Sequence, residues 1–410
     1  MPNIYASYPS FAILWPIAVC KMVLGSEGAV YSQSLTKKQQ STETLTSPLL
    51  PTLPFDLIPE ILSRLPVKFL LQFRCVCKSW NSLISDHKFA NKHLRISTTT
   101  LVHTLTNSSD LPCKSILKSY PLDSIYTDVT ISHITQHITQ LEFPSNDSVN
   151  FIGSCNGILC LADFKIGLIR LWNPSIRKFK ESPPLEKPQT FSQTMMYGFG
   201  HDPNTDHYKV VVILRARDSS GNLFHKNVDK PDVKVHTLGT NFWRSIQELP
   251  YDSLRFQQAG KSVSGTINWV VSKYLCRKSP CFIVSLNLRT ESYQEVLLPD
   301  FGVVDTYSLH LGVLRNCLCM VSGDDVWVMT EYANIESWTK LFTISYMRDP
   351  STYCVFIKAI HTFEDGQVLL KFSGDVKKLI IYNSRNGTSK PIEFENTSEV
   401  CVESLISPCL

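Results

Sequence analysis

Three places in this 410-residue sequence carry residue types at a spacing that chemistry could use. Cys155 stands between Gly153 and Gly157, as a small accessible nucleophile would. An active thiolate needs a nearby base and an electropositive setting, and Ser154 and Asn156 supply neither. A turn leading into a buried strand accounts for the same residues. His201, Asp202 and His207 are close enough for a metal site or a general base, but they flank Asp202-Pro203-Asn204, a turn-forming set between two strands. Gly260-Lys261-Ser262 ends like a phosphate-binding loop, yet Arg255 occupies the position of that motif's first glycine. His310 and His361 have no companions at ligand spacing. The 13 cysteines are odd in number and irregular in spacing, and the pairs Cys75/Cys77, Cys276/Cys281 and Cys317/Cys319 do not add up to a zinc site. They read as buried free thiols of a reducing compartment, cytoplasm or nucleus. No catalytic residue, metal or cofactor is assigned.

The elements that would position any site change character along the chain. From about residue 95 the texture is one of short apolar strands parted by turn residues, for example Tyr208–Leu214, Thr266–Val271, Phe282–Leu286 and Val368–Phe372, which indicates an all-β region. A weak repeat runs through it with a period of roughly forty to fifty residues. Its clearest copies are Cys155–Leu161 (CNGILCL), Ser264–Trp269 (SGTINW), Arg315–Met320 (RNCLCM) and Glu364–Leu370 (EDGQVLL), each followed by a second strand that ends in an aromatic residue or Asn and then a polar turn. The cadence suits a β-propeller of about six blades, with residues 95–145 fitting least well. Trp172, Trp243, Trp269, Trp327 and Trp338 are expected at comparable places in successive units, filling the space between blades. Long polar loops on a rigid repeat are where recognition is expected, and Arg215, Arg217, His225 and Lys226 in the connection from Arg215 to Lys234 are the candidate target-binding residues.

Residues 53–94 (LPFDLIPEILSRLPVKFLLQFRCVCKSWNSLISDHKFANKHL) have helical spacing instead. Asp56 suits an N-cap with Pro59 in the first turn, and Leu57, Ile58, Ile61, Leu62 and Leu65 share one face until Pro66 ends the run. Val67, Leu70, Leu71, Phe73 and Val76 predict a second helix, Lys78–Ile84 a third with Trp80, Leu83 and Ile84, and Asp86 caps a fourth carrying Phe89, Ala90 and Leu94. So small a helical unit holds more large apolar groups than its own core can use, so its surplus faces either the rest of the chain or a separate partner.

The residue pattern of this segment, from Leu53-Pro54 and Asp56-Leu57 through Glu60-Ile61-Leu62, Arg64-Leu65-Pro66-Val67-Lys68, Leu70-Leu71 and Phe73–Trp80 to Leu83-Ile84, closely resembles the F-box motif in the form abundant in plants. Phe69, Gln72 and His87 are minor departures that remove no apolar anchor. The resemblance implies a docking module for a Skp-type adaptor, which links F-box proteins to a cullin and RING scaffold for ubiquitin transfer. Leu53, Pro54, Leu57, Ile58, Ile61, Leu62, Leu65, Pro66, Val67, Leu70, Phe73, Val76, Trp80 and Leu83 would form the adaptor surface and the core behind it, with Trp80 and Leu62 expected to dominate the interface. Gly153–Leu161, Leu171–Pro174 (LWNP), Tyr197–Gly200 (YGFG), Asp202-Pro203 and Tyr208–Val210 resemble the kelch-like F-box-associated domain that usually follows it.

The expected organisation is therefore multidomain, α plus all-β: a flexible leader over 1–52, the F-box over 53–94, and the propeller-like domain over 95–410. A net charge of +4 with no basic stripe gives no reason to expect nucleic acid as a partner. The apolar run at residues 11–20 is short, broken by Pro16 and lacks a basic cluster before it, so neither a signal peptide nor a membrane span is expected. The function expected is a noncatalytic substrate receptor of a Skp–cullin–F-box ubiquitin ligase, holding an unidentified target protein. The alternatives are an adaptor-binding scaffold that does not promote degradation, and a β-propeller enzyme.

Overall fold

The computed structural model describes residues 56–97, 99–107, 115–127, 137–141, 149–185, 194–215, 231–250, 255–256, 259–272, 280–301, 308–344, 354–374, 378–392 and 397–409. The chain divides into two compact units, Met1–Ser97 and Thr98–Leu410.

Among its described residues the first unit holds four short helices: α1 (Leu57–Leu62), α2 (Val67–Phe73), α3 (Lys78–Ser85) and α4 (His87–Ile96). Their starts follow local chemistry. Asp86 caps α4 by accepting the Phe89 N–H at 3.1 Å. Asp56 occupies the N-cap of α1 but is itself in the helical region and makes no side-chain cap, contrary to expectation. Pro66, extended, precedes α2, where a missing N–H costs nothing. Leu65 and Val76, expected inside helices, lie in the turns that close α1 and α2, their N–H groups bonded three residues back to Leu62 and Phe73.

The second unit is a six-bladed β-propeller of antiparallel sheets, preceded in its first blade by strands β1 (Thr100–Asn107), β2 (Ser115–Pro121) and β3 (His137–Leu141), with a short helix α5 (Leu122–Thr127) after β2. Blade 2 is β4 (Val149–Cys155), β5 (Ile158–Asp163), β6 (Leu168–Asn173) and β7 (Lys178–Glu181). Blade 3 is β8 (Thr194–Asp202), β9 (His207–Arg215), β10 (Asp232–Thr237) and β11 (Arg244–Ser245). In blade 4, β12 (Arg255–Phe256) and β13 (Lys261–Val263) both pair with β14 (Thr266–Ser272), followed by β15 (Cys281–Asn287) and β16 (Tyr293–Val296). Blade 5 is β17 (Leu309–Leu314), β18 (Cys317–Ser322), β19 (Asp325–Met329) and β20 (Trp338–Thr343), and blade 6 is β21 (Cys354–Thr362), β22 (Val368–Gly374), β23 (Lys378–Tyr382) and β24 (Ser389–Ile392). The last strand, β25 (Thr397–Val402), returns to blade 1 and pairs with β1 as its innermost strand. The inner strands β25, β4, β8, β13, β17 and β21 follow one another around the axis and close back on β25.

The sequence repeat is the hairpin between the first and second strands of a blade. Asn156-Gly157, Ser264-Gly265 and Arg315-Asn316 all have positive φ at both positions, the turn whose twist matches antiparallel strands. At the far end of the third strand, Asn173, Asn287 and Asn383 each accept the backbone N–H two residues on, at 2.9, 2.9 and 3.0 Å, which starts the polar turn to the outer strand. The core is a series of clusters between blades. Trp269 packs with Val211, Val235 and Val284 between blades 3 and 4, and Trp172 with Leu117, Leu159 and Cys401 between blades 1 and 2. Contrary to the expectation of comparable places, the tryptophans do not occupy equivalent positions throughout: Trp172 and Trp327 lie on third strands and Trp269 on a second strand. Trp243 and Trp338 do match, each at the outer strand and each donating Nε1 to the carbonyl just past the outer strand of the preceding blade, Pro183 at 2.8 Å and Leu297 at 3.2 Å.

Blades 3 and 4 meet so closely that Gly198 has no room for a side chain: a Cβ there would stand 2.5 Å from Ile267 Cγ2 and 2.8 Å from Trp269 Cζ2. Gly198→Ala should destabilise the propeller by about 1–3 kcal/mol through overpacking, read as a lowered denaturant midpoint with an unchanged slope.

Candidate functional site

The helical unit separates the anchors that sequence could not. Ile58, Leu62, Val67, Leu70, Phe73 and Trp80 are buried, together with Ile84, Phe89 and Ala90. The Phe73 and Trp80 rings meet edge-on with centroids 5.4 Å apart. Leu62 and Trp80, expected to dominate a partner interface, are 1% and 3% exposed, so in the free chain their side chains are buried and not part of its open surface. Short helices reach this outcome because a large side chain on the inward stripe is the only material from which so small a core can be built.

What remains for a partner is Leu57, 47% exposed, the exposed Pro66, and the half-buried Ile61, Leu65, Val76 and Leu83. Leu53 and Pro54, like the leader over 1–52, lie outside the described residues. Around them the charge is mainly basic, with Arg64, Lys68, Lys78 and Lys88 exposed.

One residue that sequence reasoning passed over holds this arrangement. His93 on α4 is buried and its Nε2 meets the Leu65 carbonyl at 2.8 Å, tying the last helix to the turn after the first. Burial pushes its pKa down, against the upward pull of that carbonyl, so a neutral ring donating from Nε2 is the form that fits. Lys92 on the same helix pairs with Glu60 of α1. A histidine in a short polar run gives no sign of this in sequence, because its partner is a backbone oxygen.

In the propeller the possible reaction centres resolve into structural roles. Cys155 ends β4, and burial pushes its thiol up to about 12, the opposite of an activated nucleophile. Asp202 Oδ1 accepts the Asn204 N–H at 3.0 Å and its Oδ2 the Thr205 hydroxyl at 2.6 Å, while His201 pairs with Asp206 at 2.7 Å across the same turn. Lys261 and Ser262 lie in strand β13, not in a loop before a helix. The described cysteines are all free, and among the described residues no three His, Cys, Asp or Glu side chains could hold a metal together. Nor is any described helix long and apolar enough to cross a membrane. Of the candidate target-binding residues, Arg215 is the last residue of β9, while Arg217, His225 and Lys226 lie outside the described residues.

Comparison with known proteins falls on the same two units. The F-box domain family model matches residues 50–92, and the model of the F-box associated beta propeller domain matches residues 114–408. The Arabidopsis thaliana F-box/kelch-repeat protein At3g23880 is 30% identical over 386 residues, covering 90% of this chain and 99% of that protein. The F-box protein CPR1, also of Arabidopsis thaliana, is 26% identical over 389 residues, covering 87% of this chain and 89% of that protein.

Proposed function

The chain belongs to the F-box proteins that carry an F-box-associated β-propeller, and from that premise we propose that it is the substrate-recognition subunit of a Skp–cullin–F-box ubiquitin ligase. The observation that carries the proposal is the apolar set left outside the helical core, Leu57, Ile61, Leu65, Val76 and Leu83. A Skp-type adaptor docks there and joins the chain to the cullin and RING scaffold, while the propeller holds a target protein. The chain contributes proximity and no reacting group. Keeping a target lysine near an activated thioester turns a bimolecular encounter into a local one, which needs no nucleophile from the receptor. Work in the cytoplasm or nucleus is consistent with the free thiols.

Leu57→Asp tests the docking face without entering the core. It should weaken adaptor capture by about tenfold or more, as loss of a central apolar anchor does, while the far-ultraviolet helical signal is retained. Undiminished capture would remove Leu57 from the interface, and undiminished capture by Ile61→Asp and Leu83→Asp as well would remove the face. Reconstituted transfer of ubiquitin to a captured target then separates a ligase receptor from a scaffold that only binds the adaptor.

A further inference from the structure

Five polar side chains from four of the six blades meet inside the propeller. Glu399 comes from β25 of blade 1, Ser154 from β4 of blade 2, Lys261 from β13 of blade 4, and Lys358 and Lys371 from β21 and β22 of blade 6. Ser154 Oγ lies 3.3 Å from Glu399 Oε1 and also donates to the Val400 carbonyl at 2.8 Å. Lys371 Nζ donates to the Ser398 carbonyl at 2.9 Å. The Lys358 stem passes Gly312 of blade 5, its Cγ 3.9 Å from where a Cβ would lie, and its charge repels that of Lys261. Strands of blades 1, 2, 4 and 6 have only the axis in common, so the meeting point is the central channel. All five residues keep partial contact with solvent there.

The charges do not balance. Lys261 and Lys358 face the one carboxylate of Glu399, and among the described residues neither lysine forms an ion pair. Among the described residues the other ionisable neighbours supply no further negative charge. His103, opposite Glu399 on β1, is held neutral by burial, which takes its pKa down to about 4, and the Cys155 and Cys401 thiols are pushed up by burial. Burial and the charge of Lys358 push Lys261 down to about 7 against the pull of Glu399. Two lysines brought together in a confined channel cost free energy unless an anion joins them.

We propose that the propeller axis is a binding site for one phosphate-class oxyanion, held by Lys261 and Lys358, with Glu399 setting the affinity by competing for the same cations. A flexible ammonium pair suits tetrahedral oxygens as point charges. The site is built from the propeller's own residues and does not depend on ligase function.

Titration of the full chain with inorganic phosphate, in buffer balanced with sodium chloride to constant ionic strength, tests it. One phosphate should bind per chain and raise the melting temperature where chloride does not. Binding at pH 7.5 should take up protons as Lys261 becomes fully charged, seen as heats that vary with the buffer's ionisation enthalpy. Lys358→Met should weaken phosphate by about tenfold or more, the loss of one charge-assisted contact. Glu399→Gln should tighten it, and this variant decides the matter if Lys358→Met does not fold. Phosphate acting no differently from chloride, or affinity unmoved by Lys358→Met, or affinity unchanged or weakened by Glu399→Gln, would overturn the proposal. A short phosphoserine peptide run beside phosphate identifies the source: tighter peptide binding that still depends on Lys358 assigns the site to a modified target, and no gain assigns it to a small free oxyanion.

Discussion

Leu62→Asp is expected to unfold helices α1–α4 while leaving the propeller's own melting transition where it is. Leu62 is 1% exposed, so the substitution removes a fully buried side chain, worth about 1.5–3 kcal/mol, and adds the cost of an unpaired buried carboxylate, several kcal/mol more. A helical unit of this size rarely holds more than about 3–5 kcal/mol in total. Amide hydrogen exchange should show protection lost across residues 57–96 and kept in the propeller strands, with adaptor capture gone as a result. Leu57→Asp is the contrasting case, expected to lose capture with protection intact. If Leu62→Asp lost capture but kept protection, Leu62 would belong to the interface after all, and its burial in the free chain would have to open on docking.

How much of this was legible beforehand depended on how many faces of an element are buried. The strands visible in the sequence are overwhelmingly the second and third of each blade: Ile158–Asp163 and Leu168–Asn173 are buried at every position, and Thr266–Ser272 likewise, so they read as mainly apolar runs with few polar residues such as Arg170 and Asn268. The outer strands escape notice because they are polar edges. Lys178–Glu181 and Arg244–Ser245 are almost wholly exposed, and lysines there blunt the edge against further pairing. Residues 100–141 read as irregular because their blade is incomplete without β25 (Thr397–Val402), far along the chain from β1 (Thr100–Asn107), and no local pattern announces a partner so distant. The F-box segment was legible as helices and as a motif, but the division of its anchors into core and surface was not. Leu57 and Ile58 are neighbouring aliphatic residues, one exposed and one buried, and only the packing of the folded unit decides between them. The axial lysines are invisible for the same reason: residues 261, 358 and 371 converge through topology, not spacing.

Deleting residues 397–410 should cost the propeller its cooperative fold. The ring is closed by hydrogen bonds from β25 to β1, six residue pairs from Thr100↔Val402 to Leu105↔Thr397, so blade 1 is the one blade that joins the two ends of the domain. The segment after β25 locks the closure onto blade 2. Asn173, fully buried, donates Nδ2 to the carbonyls of Ser404 and Ile406 at 3.0 and 2.8 Å, and the Ser404 hydroxyl donates to the Asn156 carbonyl at 2.8 Å. Gly157 is required beside it, since its φ is positive and a Cβ there would collide with the Ser404 side chain. Removal strips Cys401, Leu405 and Ile406 from the core, each worth about 1.5–3 kcal/mol if it behaves as a fully buried apolar side chain, and leaves the inner edge of β1 and the buried Asn173 amide without partners. The sum approaches the about 5–15 kcal/mol that holds a whole domain. The shortened chain should therefore lose its sharp thermal transition and bind a dye for exposed apolar surface, and the missing segment supplied as a peptide should restore the transition in part. A truncated chain that melts as sharply as the intact one, at the same temperature, would mean that contacts between neighbouring blades hold the ring without its closing strand.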